Sequence, residues 1–277
     1  MIIAVSDVHL AEKADDWQVQ EDDKKFADFL DYLASGPLKD GGELVLLGDI
    51  FDLWRRDFVN ALIESEPIVS KLIDLGQKAR IHYVVGNHDY HMLRMCELFS
   101  DRFPFRVSKD LRLQDGGKGF YFLHGYQLEV LANPYYKSMS AYETFAEGLC
   151  LAGDDTGNAA DKLWETIEAS KSALDGLKRL PANIKEALNS MMNSPDNRLS
   201  GSHKAHSLVD QVAMCEARTI YLGMNKGETL VFGHTHDPFY EENCRAINTG
   251  SWKKHPCRTY RYLEIIEGQA KPRIFQN

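Results

Sequence analysis

Short apolar runs punctuate the first half of the chain at Ile2–Val5, Leu44–Leu47, Ile81–Val85 and Phe120–Leu123. Runs this short and this rich in Val, Ile, Leu and aromatics predict buried strands. Between them apolar positions recur at helical spacing: Phe26, Phe29, Leu30 and Leu33 share one face, and Leu62, Ile63, Val69, Leu72 and Ile73 another. Gly76 is placed to close the second helix as its C′ residue. Strands alternating with helices predict an α/β sheet protein.

After Gly125 the pattern changes. From about Pro134 to Asn225 there is no strand pattern, and helix-period stretches cover Met139–Leu151, Ala159–Leu174, Pro181–Met192 and Ala205–Met224. Pro181 suits a first helical turn, and Ser194-Pro195-Asp196-Asn197 reads as a break. Leu149, Leu151, Leu163, Ile167, Leu174 and Leu177 exceed what one exposed helix would carry, so these helices are expected to pack on something. Strands resume at Thr229–Phe232, Arg245–Asn248 and Thr259–Ile266. The flanking strands need each other to complete a sheet. The expected organisation is therefore one domain over residues 1–277, with a mostly helical insertion at about 134–225.

The composition is that of a globular protein, with 44% apolar and 26% charged residues. A net charge of −9 argues against a protein that coats nucleic acid, although a local basic pocket for a phosphate remains compatible with it. Cys96, Cys150, Cys215, Cys244 and Cys257 are odd in number and contain no CxxC, which suits buried thiols in a reducing compartment. The start, Met1 to Val5 followed by polar Ser6-Asp7, lacks the pattern of a signal peptide, and no apolar run is long enough to span a bilayer. The expected location is the cytoplasm.

Five segments hold polar residues that a plain core would not accept: Ser6-Asp7-Val8-His9, Gly48-Asp49-Ile50-Phe51-Asp52, Gly86-Asn87-His88-Asp89, His124-Gly125 and Gly233-His234-Thr235-His236. They follow strand candidates, and in open α/β sheets the crevice beyond the carboxyl ends of the strands is where sites form. The donors are Asp, His and Asn without Cys, a set that suits Mn²⁺, Fe, Zn²⁺ or Mg²⁺. Any one segment alone would be an ordinary turn or helix cap. Five in order are a different matter.

The series resembles the calcineurin-like metallophosphoesterase superfamily, whose motifs run DxH, GD, GNH(D/E), H and GHxH. The resemblance implies a two-sheet α/β/β/α sandwich. It implies that Asp7, His9 and His236 bind one divalent metal and Asn87, His124 and His234 a second, with Asp49 bridging. Mn is the first expectation, with Fe, Zn or Mg as alternatives. Two cations roughly 3.5–4 Å apart polarise a phosphoryl group and hold a bridging hydroxide at neutral pH. Glycines 48, 86, 125 and 233 are expected to let the backbone turn sharply beside them.

In the family His88 faces the leaving group, to protonate it or to stabilise phosphoryl charge, and Asp52 matches the carboxylate that orients it. Asp89 is a candidate neighbour of the site. Arg55 and Arg56 are candidates for binding a substrate phosphate, although a charge pair opening a helix is usually just solvated. His203 and His206 read as surface residues, and Tyr135, Tyr136 and Trp164 as packing.

Within the superfamily, Gly48 to Trp54, Gly233 to Pro238 and Asn248 to Trp252 look like the UDP-2,3-diacylglucosamine pyrophosphatase group, which uses a helical insertion as an apolar cap. That group has Arg where this chain has His88, and Asp where it has Tyr126. The resemblance implies a hydrolase of a small phosphorylated substrate (a phosphodiester, nucleotide-sugar pyrophosphate or phosphomonoester), with an apolar or bulky group and with peripheral membrane contact open. A nuclease of the double-strand-break repair type shares these motifs, but the acidic charge weighs against it. A metal-free scaffold would have lost ligands, and none is missing. A protein phosphatase would carry Asp-Arg-Gly where this chain has Asp52-Leu53-Trp54.

Overall fold

A computed structural model describes residues 1–12, 17–98, 105–133, 136, 138–152, 207–243, 245–252 and 260–276. The expected stretches Ala159–Leu174 and Pro181–Met192, together with Tyr135, Trp164, His203 and His206, lie outside the described residues.

Two sheets face each other. The first has the strand order β11-β10-β1-β2-β3-β4, built from β1 (Ile2–Val5), β2 (Glu43–Leu47), β3 (Arg80–Val84), β4 (Arg106–Ser108), β10 (Arg261–Ile266) and β11 (Gln269–Ile274). The second has the order β5-β6-β7-β9-β8, from β5 (Asp110–Asp115), β6 (Lys118–Leu123), β7 (Thr229–Phe232), β8 (Phe239–Glu241) and β9 (Ala246–Asn248). Strands β1 to β4 run parallel, as do β6, β7 and β9, while β10, β11, β5 and β8 pair antiparallel at the flanks.

Alternation along each strand sorts the layers. Ile2, Ala4, Val45, Leu47 and Val84 of the first sheet meet Phe120, Phe122, Val231 and Ile247 of the second in one buried cluster. Their neighbours Ile3, Val5, Leu44 and Leu46 face the other way. They pack with Phe26, Phe29, Leu30 and Leu33 of α1 (Trp17–Ser35) and with Leu72 and Leu75 of α3 (Glu66–Gly76). Behind the second sheet, Tyr121, Leu123, Leu230 and Phe232 pack on Leu128 of α5 (Tyr126–Ala132) and on Val209 and Val212 of α7 (Leu208–Met214). The result is the expected α/β/β/α sandwich.

Several expectations need correction. The second predicted helix is two, α2 (Phe58–Glu64) and α3, divided at Ser65. Pro67 is tolerated only in a first turn because it has no N–H to donate, so the helix restarts there. Ile63 and Ile73 are exposed, and the buried positions are Ala61, Ile68, Leu72 and Leu75. Gly76 ends α3 inside the helix, without positive φ, and Gln77 is the cap. Of the expected helix Ala205–Met224, residues 205 and 206 lie outside the described residues, and the rest is α7 and α8 (Arg218–Tyr221), parted by extended backbone at Cys215.

Strands β4, β5, β8 and β11 and helix α5 had no counterpart in the sequence pattern as read above. The four strands lie at sheet edges and are polar on one or both faces. Helix α6 (Met139–Ala152) matches the expected Met139–Leu151, with Leu149 packed on the core but Leu151 61% exposed. Tyr136 packs on the core as well. Helix α4 (Met92–Leu98), also without a counterpart in the sequence pattern, completes the described elements.

Candidate metal centre

The five polar segments leave the carboxyl ends of β1, β2, β3, β6 and β7 and converge. Asp7, His9, Asp49, His234 and His236 all adopt left-handed backbone, with φ of 54°, 50°, 53°, 68° and 57°. Such conformations cost about 1–3 kcal/mol each and persist only where the surroundings hold them. Here the loops hold each other. The Asp7 amide donates to Gly48 O at 3.0 Å, the His9 amide to Asp49 O at 2.9 Å, and the Ser251 hydroxyl to Asp7 O at 3.1 Å. Gly86 and Gly233 are needed for space rather than for a sharp turn. A Cβ on Gly86 would stand 2.0 Å from Asp49 Oδ1, and one on Gly233 2.3 Å from Asp7 Oδ2.

Two groups of donors result. Asp7, His9 and His236 form one, with His236 Nε2 3.1 Å from Asp7 Oδ1. Asp49, His124 and His234 form the other, with His124 Nε2 3.0 Å from Asp49 Oδ2. His124 Nδ1 donates to Leu47 O at 2.9 Å, since a carbonyl can only accept, and this leaves the Nε2 lone pair of the neutral ring facing Asp49. In the same way His9 Nδ1 donates to Asp52 Oδ2 at 3.2 Å and turns its Nε2 inward. His9 Nε2, His124 Nε2 and Asn87 Oδ1 are buried without a hydrogen-bond partner.

Burial of polar atoms in this state is costly unless a cation or proton completes them. The pKa directions carry the same message. Burial raises the Asp7 and Asp49 pKa values, but the imidazoles outweigh it, foremost His124, and both end up lowered. Burial lowers that of His124, yet the Asp49 and Asp7 carboxylates raise it to about 10. The pocket calls for positive charge, and its Asp, His and Asn donors fit a pair of borderline or hard divalent ions.

The comparisons agree with the geometry. Residues 1–238 match the family model described as calcineurin-like phosphoesterase. The chain belongs to the calcineurin-like phosphoesterase family. It is thus a metallophosphoesterase, a hydrolase acting on phosphoester bonds. It is 27% identical over 254 residues to a UDP-2,3-diacylglucosamine hydrolase from Shewanella piezotolerans, covering 86% of this chain and 89% of that one. It is 26% identical over 267 residues to a protein of the same name from Ectopseudomonas mendocina, covering 92% and 91%. Among solved structures, a dimetal phosphatase from Danio rerio aligns over 99% of this chain and 98% of its own, at 13% identity and a TM-score of 0.48.

Other side chains of this phosphoesterase surround the two groups. His9, Asp52 and His88 also cluster closely, but both Asp52 oxygens are taken by hydrogen bonds. Oδ1 faces His88 Nδ1 at 3.0 Å, and Oδ2 accepts from His9 Nδ1 and, at 2.6 Å, from Arg55 Nη1. Those bonds hold both imidazoles by their Nδ1 atoms. The His88 ring stacks on Trp54, with centroids 4.0 Å apart, and its amide donates to Asp49 Oδ1 at 2.8 Å. Burial lowers the His88 pKa, but the Asp52 and Asp49 charges leave it raised.

Asp89 is wholly buried and joins two loops. It accepts from the amides of Ile50 and Gly86, at 2.7 and 2.6 Å, and from the Tyr83 hydroxyl. Arg55 also pairs with Glu12 at 3.2 Å, and Arg56 pairs with Glu64, so each would have to leave a carboxylate to reach a phosphate.

Three neighbours escaped the sequence reading. Glu129 of α5 is buried with Oε2 3.6 Å from His234 Nε2, and no sequence signal marks it. Cys150 of α6 donates to His88 O at 3.3 Å, where a lone apolar-face cysteine reads only as packing. Asp210, three residues after Ser207, carries a readable signal, the spacing of a helix cap. Among the described residues no helix is long and apolar enough to cross a membrane, and Cys96, Cys150 and Cys215 are free thiols.

Proposed function

We propose that this chain is a dinuclear-metal hydrolase that cleaves a phosphate ester or phosphoanhydride, with a lipid-bearing nucleotide-sugar pyrophosphate as its substrate class. One observation carries the reading: buried, unpartnered lone pairs of His9 and His124 converge beside the Asp7 and Asp49 carboxylates, and Asn87 Oδ1, next to the His88 amide that binds Asp49, is likewise buried without a partner. Asp7, His9 and His236 would hold one ion, Asn87, His124 and His234 the other, and Asp49 both. A pair of divalent ions, Mn²⁺ first, would polarise the phosphoryl group, offset its charge and supply hydroxide at neutral pH.

The chain's own residues do the rest. Asp52 holds His88 through Nδ1, so Nε2 is the atom left to give a proton to the leaving oxygen. Trp54 fixes the plane of that ring. Leu47 O and Asp52 fix the tautomers of His124 and His9. The substrate class rests on the two named relatives, whose names specify a diacylated UDP-sugar. Residues 134–225 are the proposed source of contacts to its apolar part.

The test is elemental analysis of Mn²⁺-loaded protein, then hydrolysis of a panel: UDP-2,3-diacylglucosamine, unacylated nucleoside diphosphate sugars, bis-p-nitrophenyl phosphate, p-nitrophenyl phosphate and single-stranded DNA. Two ions per chain and preference for the diacylated pyrophosphate are expected. No bound metal overturns the reading, and preference for DNA replaces it with a nuclease.

A further inference from the structure

Asp210 has no exposed surface, yet it lies on α7, outside the five segments proposed to supply the metal donors. One carboxylate oxygen serves its own helix. The Ser207 hydroxyl donates to Asp210 Oδ2 at 2.7 Å and accepts from the Asp210 amide at 3.1 Å. The other oxygen does something a cap does not require. Asp210 Oδ1 accepts from Thr235 Oγ1 at 2.9 Å and from Asn248 Nδ2 at 3.3 Å.

Thr235 is the residue between His234 and His236. Its hydroxyl also accepts from Asn248 Nδ2 at 2.7 Å, so with one proton to give it has a single consistent orientation, toward Asp210. Asn248 in turn reaches Gly233 O at 3.2 Å and accepts from the Gly250 amide at 2.8 Å. The loop carrying both imidazoles has positive φ at His234 and His236 and needs outside restraint to keep it. Asp7 restrains it from the front, accepting the His234 amide at 3.0 Å. The Asp210–Thr235–Asn248 triangle restrains it from behind.

We propose that Asp210 is a positioning residue for the metal centre, holding Thr235 so that His234 and His236 present their nitrogens to the two donor groups. The proposal rests on the metal reading above. Outer residues that orient ligands are worth about 10–100-fold in metal affinity. Helix α7 directly follows the part of the insertion outside the described residues, so its seating and the spacing of the two imidazoles are linked through one carboxylate.

The experiment measures Mn²⁺ affinity by competition with a chelator, and the melting temperature of the metal-free protein. Wild type is compared with Asp210→Ala, Asp210→Asn, Thr235→Val and the Asp210→Ala/Thr235→Val double variant. Asp210→Ala and Thr235→Val should each weaken Mn²⁺ by about 10–100-fold, and together by little more than one alone, because they cut the same bond. Asp210→Asn, whose amide oxygen still accepts from Thr235, should restore most of the affinity. If Asp210→Ala does not fold, Thr235→Val decides alone, since it removes only the hydroxyl. Unchanged Mn²⁺ affinity in Thr235→Val overturns the proposal. So does a lowered melting temperature in Asp210→Ala with affinity intact, which would make Asp210 only a helix cap. Absence of Mn²⁺ binding in the wild type would overturn the metal reading itself, a result distinct from either.

Discussion

His88 and His9 share one carboxylate: Asp52 faces the Nδ1 atoms of both, at 3.0 and 3.2 Å, from its two oxygens. The same side chain therefore orients a proposed metal ligand and the proposed proton donor beside it. Because Asp52 is wholly buried and also bonded to Arg55, it has no freedom to serve one at the expense of the other.

Replacing His88 by Ala should leave the metal content unchanged while kcat falls by about 10²–10⁴-fold. If His88 delivers a proton, the loss should shrink for p-nitrophenol leaving groups relative to alkyl ones. Steady-state kinetics on both substrate types is the check, and equal losses would assign His88 to phosphoryl charge instead.

Asp49→Asn should abolish nearly all turnover and lower the metal stoichiometry while the fold persists. One Asp49 oxygen faces His124, and the other accepts the His88 amide. Elemental analysis and circular dichroism together test this, and full metal content with full activity would exclude a bridging role.

Gly86→Ala should weaken metal binding without removing any donor. The added methyl would stand 2.0 Å from Asp49 Oδ1 and 2.5 Å from the Asp49 amide, so the carboxylate or the loop must move. A loss in Mn²⁺ affinity of about 10-fold or more is expected, on the scale set by other residues that orient ligands. Chelator competition measures it.

Arg55→Ala separates two roles. Its guanidinium lies 2.6 Å from Asp52, so removal should lower kcat more than it raises KM. A raised KM with unchanged kcat would instead show direct binding of the substrate phosphate.

Replacing residues 153–206 by a short linker should preserve hydrolysis of bis-p-nitrophenyl phosphate, because Asp7, His9, Asp49, Asn87, His88, His124, His234 and His236 all lie elsewhere. Selectivity among larger substrates should be lost. The segments 139–152 and 207–225 must stay, since Cys150 contacts the His88 loop and Asp210 the His234 loop. A folded, metal-loaded protein inactive on the small diester would show that 153–206 supplies catalytic groups.

The central strands and the donor residues are legible in the chain itself. Ile2–Val5 and Leu44–Leu47 are apolar on both faces because both faces are covered, and that leaves a continuous run in the sequence. The candidate donors follow such runs directly, so short-range order is enough to single them out. Edge strands such as β11, with Lys271, Pro272 and Arg273, owe their pairing to a neighbour and carry little pattern of their own. Helix α5, capped by Gly125, follows His124 directly, and its Tyr126, Leu128 and Val130 alternate as a strand would, so packing decides its form. Only the tertiary structure could decide which nitrogen of His124 faces inward, because the answer is a carbonyl 77 residues away, at Leu47. It likewise decided that Asp210 reaches Thr235, because a hydrogen bond between distant segments depends on how helix and sheet pack, which no local spacing encodes.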